Sequence, residues 1–134
     1  MRAFLEMEKQ VLANRVASKT ILLAEADATN QLYLKTQLSL LNFNILTASN
    51  GVEALDLFKR NRVDIVLTNI YMPLLNGMET SKAIRAVAGA RPPIIAISAG
   101  NFDIEILRRA AGINHFFHTP LNINELRKVL VQYQ

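Results

Sequence analysis

The stretch DIVLTNIYMPLLNG, residues 64–77, joins a short apolar run to a turn that contains Pro73 and Asn76-Gly77. The run VDIVLT, residues 63–68, is rich in β-branched residues. After Asp64, the apolar residues Ile65, Val66 and Leu67 follow without interruption, which is typical of a strand that is buried on both faces of a parallel sheet. The run stops at Asn69, whose amide can neither release a proton nor act as a nucleophile. The question is therefore what an amide does at the end of a buried strand.

Four other short apolar runs predict strands: TILLA (20–24), NILTA (44–48), PIIAIS (93–98) and HFF (115–117). The intervening segments place apolar residues at helical spacing and predict helices over 29–41, 51–60, 78–88, 103–111 and 122–132. In two of them an Asn stands three residues before a Glu, as at a helix N-cap: Asn50 with Glu53, and Asn122 with Glu125. Five strand–helix units in about 115 residues predict an α/β fold with a doubly wound parallel sheet.

Sheets of this kind bind ligands beyond the carboxyl ends of their strands, where the winding reverses direction. In this chain those ends carry the segments AEAD, NIYMP, SAGN and HTP. The segments bring Asn69 to the same edge as acidic and hydroxyl side chains. This edge of the sheet is the predicted functional site.

The composition limits the classes of protein that the chain can be. Hydrophobic residues make up 51% of it, which is too much for a disordered chain. The sequence has no cysteine, which excludes disulfides, thiolate metal sites and cysteine nucleophiles and favours a cytoplasmic protein. The net charge of +4 comes from 15 basic and 11 acidic residues without a concentrated basic patch. We therefore expect no direct binding to nucleic acid or to a membrane.

Residues 1–19 predict a separate helix, an N-terminal extension or linker that precedes a domain over residues 20–134. Four apolar residues form a partial stripe along this helix: Met1, Leu5, Leu12 and Val16. Three interpretations are open, namely a connector helix, the seam of a homodimer and a loose tail.

Residues 19–131 resemble the receiver domain of two-component response regulators, the CheY-like family. The resemblance rests on the order and spacing of ILLAEADATNQ, NGVEALDLF, DIVLTNIYMPLLNGME, PIIAISA and FFHTP. It implies a flavodoxin-like sheet with strand order 2-1-3-4-5. It also implies a phosphorelay, in which an aspartate at the end of the third strand takes a phosphoryl group from a phosphohistidine. In the family, neighbouring acids hold Mg²⁺, and a lysine and a hydroxyl contact the phosphoryl oxygens.

The acidic positions of the family are only partly kept. The acid pair after the first strand corresponds to Glu25, which is retained, and to Ala26, where a metal ligand is lost. Asp27 follows at a position that in the family does not usually face the metal. The phosphoacceptor position is Asn69, and an amide cannot form an acyl phosphate.

The remaining family positions are also mixed. Ser98 keeps the hydroxyl, and Phe116 keeps an aromatic side chain at the switch position, where we expect an inward ring or a plain core residue. Thr119 stands at the lysine position, so the ammonium group is lost. The resemblance implies a cis peptide before Pro120. The Asn76-Gly77 pair predicts a tight turn with positive φ.

Three of the five active-site residues are lost, which predicts a degenerate receiver, or pseudo-receiver, with no catalytic residue and no enzymatic activity. We expect no cofactor, with Glu25 and Asp27 as solvated carboxylates that bind Mg²⁺ weakly or not at all. Millimolar Mg²⁺ should then change stability little. Tyr71 is expected to border the vacant site. His115 and His118 point to opposite faces of the predicted strand, so a metal pair is not expected.

The predicted partners are proteins: a histidine kinase, a phosphotransfer protein or a regulator. The NQ pair resembles receivers that are fused to histidine kinases, so the chain is interpreted as part of a hybrid kinase or larger regulator. One candidate surface is the helix over 29–41, near Gln31 and Lys35. The other surface lies on the last two predicted helices and on the fifth strand between them, around five residues: Ile104, Glu105, Arg108, Arg109 and Arg127.

Two alternative functions are open. The first is a phosphorylatable receiver that uses a different acceptor, such as Asp27 or Ser98. The second is a flavodoxin-like binder of a small ligand, which needs a phosphate cradle after the first strand. The segment AEADATNQ contains no glycine, which counts against such a cradle.

Overall fold

The structure, a computed structural model, describes residues 2–133, with the side chains of residues 10–17 outside the description. Within that range five strands form: β1 (Thr20–Ala24), β2 (Asn44–Ala48), β3 (Ile65–Asn69), β4 (Ile94–Ser98) and β5 (His115–His118). The same range contains six α-helices: α1 (Arg2–Ala17), α2 (Ala28–Leu40), α3 (Gly51–Arg60), α4 (Gly77–Ala88), α5 (Ile104–Ala111) and α6 (Ile123–Leu130). A 3₁₀ turn follows α6 at Val131–Tyr133.

The strands form one parallel sheet in the order β2-β1-β3-β4-β5. This order confirms the predicted doubly wound α/β fold, which is the CheY-like arrangement. The register places Ala24 of β1 beside Ala48 on one side and Thr68 on the other, and Asn69 beside Ile97. The carboxyl ends of the strands therefore meet at one edge.

Each face of the sheet has its own hydrophobic core. Helices α3, α4 and α5 cover one face, where Leu22 and Ile84 are fully buried. Helices α2 and α6 cover the other face, where Leu23 and Leu126 are fully buried. Neighbouring strand residues such as Leu22 and Leu23 enter different cores because successive side chains point to opposite faces. Burial on both faces explains the continuous apolar runs that predicted the strands.

Helices α2 to α6 each begin at a side chain that caps the first turn. The five caps are Asp27, Asn50, Asn76, Asp103 and Asn122. The Asn50 side chain accepts from the Glu53 N–H at 2.7 Å, and the Asn122 side chain accepts from the Glu125 N–H at 3.2 Å. Both predicted caps are confirmed, and a cap of this type typically adds about 1 kcal/mol to stability.

The prediction of positive φ at Asn76-Gly77 was wrong. Asn76 has a φ of −72° and caps α4 in a complete capping box with Glu79, and Gly77 is the first residue of the helix. The positive φ of this loop falls on Leu74, at 71°. Gly77 is needed for space, because a Cβ there would lie 2.4 Å from the carbonyl oxygen of Asn69. The glycine therefore lets α4 start directly against the end of β3.

Helix α1 confirms the helix that was predicted for the N-terminal segment. Phe4 and Leu5 are exposed on it. Met1 and the side chains of Leu12 and Val16, the other members of the predicted stripe, lie outside the described residues. The role of α1 as a linker, a homodimer seam or a tail therefore stays a prediction. Within the described range, no helix has the length and apolar character needed to cross a membrane.

Candidate functional site

The ends of the strands bring four predicted site residues to one edge of the sheet. Glu25 follows β1, Asn69 ends β3, Ser98 ends β4 and Thr119 follows β5. The Thr119 N–H donates to the Ser98 carbonyl oxygen at 3.0 Å, and the Thr119-Pro120 peptide is cis, as predicted. The structure therefore brings these residues to the same edge of the sheet, as the strand pattern predicted, and their function stays a prediction.

Glu25 is buried, with 3% of its surface exposed, which corrects the expectation of a solvated carboxylate. Hydrogen bonds of the Glu25 backbone cause this burial. The Glu25 N–H donates to the Ala48 carbonyl oxygen of β2 at 2.9 Å, and the Gln31 side chain of α2 donates to the Glu25 carbonyl oxygen at 3.0 Å. These bonds hold the residue between the sheet and α2. Because an isolated buried carboxylate is costly, its oxygens need hydrogen-bond donors.

The amide of Asn69 is one of these donors. Its Nδ2 lies 3.2 Å from Oε1 and 3.3 Å from Oε2 of Glu25. Its Oδ1 accepts from the Tyr71 N–H at 3.1 Å. The reverse orientation would set the amide oxygen against the carboxylate and the NH₂ group against an N–H, so the two partners fix the amide. The amide at the end of β3 therefore holds a buried carboxylate.

A carboxylate at position 69 would turn this attraction into repulsion. Two negative charges about 5 Å apart, at an effective dielectric of about 20, repel by about 3 kcal/mol. The amide removes that repulsion and adds a hydrogen bond to a charged acceptor, which typically contributes about 1.5–3 kcal/mol. The amide at position 69 therefore replaces a repulsion with an attractive contact to Glu25.

Mg²⁺, which the family resemblance implies, does not fit these side chains. Ala26 offers no ligand, and the Asp27 carboxylate caps α2 by accepting from the Asn30 N–H at 2.8 Å. Asn69 turns its NH₂ group, not its oxygen, toward Glu25. Among the side chains that the structure describes, no three His, Cys, Asp or Glu gather as metal ligands. Mg²⁺ in proteins is held by carboxylate oxygens together with waters in a near-octahedral arrangement, and of the family's two acids after β1 only Glu25 remains here.

The retained hydroxyl, that of Ser98, is hydrogen-bonded to the backbone of the loop after β4. Ser98 is fully buried, and its Oγ accepts from the Gly100 N–H at 3.1 Å. Thr119, at the lysine position, is exposed and brings no charge. The edge thus keeps a hydroxyl and lacks an ammonium group at the predicted position.

Four aromatic rings form a chain from the site to β5. The ring centroids of Tyr71 and Phe102 are 6.0 Å apart, those of Phe102 and Phe116 5.8 Å, and those of Phe116 and His118 5.1 Å. Phe116 is half-buried against the core under α3, α4 and α5, and its role as a switch residue stays a prediction. Phe102 was not among the site residues predicted from the sequence. The available signal was a single aromatic residue in an otherwise polar loop after β4.

A cavity of about 510 Å³ opens at this edge, and both Glu25 and Asn69 line it. Its walls include five further side chains: Tyr33, Leu34, Tyr71, Thr119 and Leu121. Tyr71 thus borders the site, with 62% of its surface exposed. A larger cavity, of about 790 Å³, lies at the amino ends of the strands, and none of the predicted site residues lines it.

The two histidines lie on opposite faces of β5, as predicted, and do not face each other. His115 Nε2 is 2.7 Å from the hydroxyl oxygen of Tyr133. Burial, and then the positive charge of Arg108, lower the pKa of His115. His118 packs edge-on against Phe116.

A sequence model of the response regulator receiver domain matches residues 21–131. The autoinducer 1 sensor kinase/phosphatase LuxN of Vibrio campbellii is 30% identical over 115 residues, which are 84% of this chain and 13% of LuxN. The chain therefore spans a small part of that relative.

Two solved structures share the fold. The receiver domain of the sensor histidine kinase PA1611 from Pseudomonas aeruginosa has a TM-score of 0.78 at 30% identity, over 87% of this chain and 97% of that one. That structure has a magnesium ion coordinated in its active-site cleft. The co-crystal structure of the Saccharomyces cerevisiae phosphotransfer protein Ypd1 with the receiver domain of Ssk1 matches at a TM-score of 0.76 and 23% identity, over 87% of this chain and 88% of that one. At that identity the likeness shows the fold alone.

Proposed function

The chain belongs to the response regulator receiver domain family, and from that premise we propose that it is a pseudo-receiver, which binds protein partners and accepts no phosphoryl group at Asn69. Receiver domains are signalling modules of two-component phosphorelays. The similarity to LuxN and to the PA1611 receiver, both from sensor kinases, supports a place within a hybrid histidine kinase. We place the module in the cytoplasm.

The bond between Asn69 and Glu25 is the observation that carries the proposal. An acyl phosphate forms by attack of a carboxylate oxygen on phosphorus, and Asn69 has an amide that is engaged at both ends. The charges that would support the transfer are also missing. Ala26 offers no metal ligand, and Thr119 offers no ammonium group for the phosphoryl oxygens.

Neither alternative acceptor has a geometry that favours phosphotransfer. Ser98 has no exposed surface, and its Oγ is bonded to the loop after β4. Asp27 is exposed, but its carboxylate caps α2, so a phosphoryl group on that oxygen would remove the cap. Incubation with a small phosphodonor tests both Ser98 and Asp27 as acceptors.

The surface of α2 next to the site is the proposed docking face for a histidine kinase or phosphotransfer protein. Leu32 and Tyr33 are exposed in the first half of this helix, with 66% and 52% of their surfaces accessible, and Lys35 is exposed two residues after Tyr33. Exposed apolar side chains in one area are typical of protein interfaces. Gln31, which the sequence analysis placed in this face, is instead bonded to the backbone of Glu25 and Ala48.

The face on α5 and α6 is the second proposed contact surface. Arg108 and Glu105 form an exposed ion pair at 2.6 Å, and Ile106 beside them has 61% of its surface exposed. Arg109 and Arg127 are also exposed. This surface suits a regulator or a second copy of the chain as partner.

Acetyl phosphate, a small phosphodonor, tests the proposal when it is incubated with the protein and Mg²⁺ and the intact mass is measured. We expect no added phosphoryl group. A matched variant combines Ala26→Asp, Asn69→Asp and Thr119→Lys, which restores the family pattern, and is expected to gain one phosphoryl group. A stoichiometric adduct on the unmodified chain would overturn the proposal. Loss of that adduct in Asp27→Asn or Ser98→Ala would identify the alternative acceptor.

A further inference from the structure

Glu25 carries a buried charge for which the described residues provide no cation. Its carboxylate accepts from two groups in the described part of the chain, the Asn69 amide and the Asp27 N–H, at 3.2–3.3 Å. None of the ion pairs between described side chains includes Glu25 or Asp27. A carboxylate has about four acceptor positions. Glu25 can therefore accept further hydrogen bonds from a group that enters the cavity.

The walls of the cavity suit an alkyl chain that ends in a positive charge. Tyr33 and Tyr71 line it with aromatic rings, which attract cations at their faces. Leu34 and Leu121 supply apolar wall, against which the methylene groups of lysine or arginine pack. The buried carboxylate lies in the same cavity.

Exposed apolar residues flank the two lining tyrosines in the sequence. Leu32 and Leu74 lie one and three residues along the chain from the tyrosines, with 66% and 74% of their surfaces exposed. A pocket that binds a charge and lies beside exposed apolar side chains is typical of protein interfaces. In such interfaces a few buried side chains of the partner supply most of the binding energy.

We infer that this cavity receives a lysine or arginine side chain of a protein partner, whose ammonium or guanidinium group donates to Glu25. The inference rests on the proposed function and names the chemistry of the partner at the same site. It also separates two kinds of cation. Mg²⁺ needs a set of oxygen ligands that this edge lacks, whereas an ammonium group needs hydrogen-bond acceptors and aromatic rings, which it has.

The first test uses n-butylammonium, which has the alkyl chain and charge of a lysine side chain. It is titrated into ¹⁵N-labelled protein, and the amide signals of Asn69 and Tyr71 are followed by NMR, with Gly112 as a remote reference. We expect saturable shifts at the two site residues and none at Gly112. The neutral analogue n-butanol, which has the same number of heavy atoms, should produce no saturable shift. Equal binding of the alcohol would overturn the inference.

Variants test the assignment to Glu25. Glu25→Gln keeps the shape and removes the charge, and it should weaken n-butylammonium binding about tenfold or more. The matched control, Glu105→Gln, also removes one acidic charge, but it lies on exposed α5 and should change the dissociation constant by less than about twofold. Tyr71→Ala alters an exposed wall without touching the core and should weaken binding about threefold. Unchanged binding in both Glu25→Gln and Tyr71→Ala would contradict the inference.

A pair of peptides tests whether a lysine side chain on a polypeptide backbone can enter the cavity. The peptide acetyl-Gly-Gly-Lys-Gly-Gly-amide should bind at least as tightly as n-butylammonium, and the same peptide with an acetylated lysine should not bind. Binding of the free amine with exclusion of the lysine peptide would overturn the partner assignment. These outcomes are independent of the phosphotransfer test. A phosphoryl adduct would overturn the proposed function, whereas failure of cation binding leaves the pseudo-receiver in place.

Discussion

Arg85 and Glu25 lie at opposite ends of the sheet, and both are hydrogen-bonded to neutral groups. The two side chains differ in how completely their hydrogen-bonding capacity is used. At the amino end, Arg85 of α4 donates five hydrogen bonds of 2.7–3.1 Å to three carbonyl oxygens and to Asn114. A guanidinium group has five N–H donors, so Arg85 is saturated. At the carboxyl end, Glu25 accepts longer bonds from two groups and faces a cavity.

This difference indicates that Arg85 is a structural charge, whereas Glu25 can still bind a partner. Arg85 ties α4 to the segments before β4 and β5, because Pro92 precedes β4 and Gly112 and Asn114 precede β5. Its donors have no capacity left for a ligand. Glu25 has unused acceptor capacity at the edge where parallel sheets bind ligands. Removal of Arg85 should therefore lower stability more than a change around Glu25, and only a change around Glu25 should also alter binding at the cavity.

Replacement of Arg85 by methionine should produce the largest loss of stability. The change keeps the apolar stem and removes all five donors, leaving several backbone carbonyl oxygens without a partner. We expect the free energy of unfolding in urea to fall by about 3 kcal/mol. Arg60→Met is the matched control, because Arg60 forms only an exposed ion pair with Asp56. It should lose less than about 0.5 kcal/mol. Similar losses in both variants would show that Arg85 is not a special structural charge.

The variant Asn69→Asp tests the carboxyl end. It sets a second carboxylate against Glu25 and should lower the free energy of unfolding by about 2 kcal/mol at neutral pH without divalent ions. Asn101→Asp, the same change in an exposed loop, should shift stability by less than about 0.5 kcal/mol. A variant at position 69 that is as stable as the unmodified chain at neutral pH would refute the proposed role of the amide.

His115, at the start of β5 next to Asn114, should make the smallest of these contributions to the free energy of unfolding. Its pKa is lowered in the folded state by burial and then by Arg108, so the unfolded chain binds more protons between the two pKa values. Stability therefore rises with pH as the solution passes from below the folded pKa to above the unfolded value of about 6.5. The partly exposed ring limits the effect to about 0.5 kcal/mol. The variant His115→Gln should flatten the pH dependence of unfolding, and an unchanged slope would contradict this.

The features that were predictable from the sequence depend on short-range patterns. The strands follow from apolar runs that are buried on both faces, and Ala26, Asn69 and Thr119 could be identified as lost site residues because the motifs around them are kept. The Asn76-Gly77 pair shows the limit of such patterns. The same two residues suit a tight turn or the start of a helix, and only the close approach to Asn69 decides between them.

The burial of Glu25 and the saturation of Arg85 could not be read from local sequence. Glu25 and Asn69 are 44 residues apart, and Arg85 is 27 residues from Gly112 and 29 from Asn114. A charged residue in a loop is normally solvated, so the default expectation for Glu25 was exposure. Only the tertiary fold brings together the donors that satisfy the buried Glu25 carboxylate and the acceptors that satisfy the Arg85 guanidinium group.

The response of thermal unfolding to Mg²⁺ tests the central claim most directly. If the Asn69 amide holds Glu25 without a metal ion, the midpoint temperature of the unmodified chain should change by less than about 1 °C when millimolar Mg²⁺ is added. A rise of about 5 °C or more would show that the native state binds Mg²⁺ tightly. That result would contradict the account of a carboxylate held by an amide.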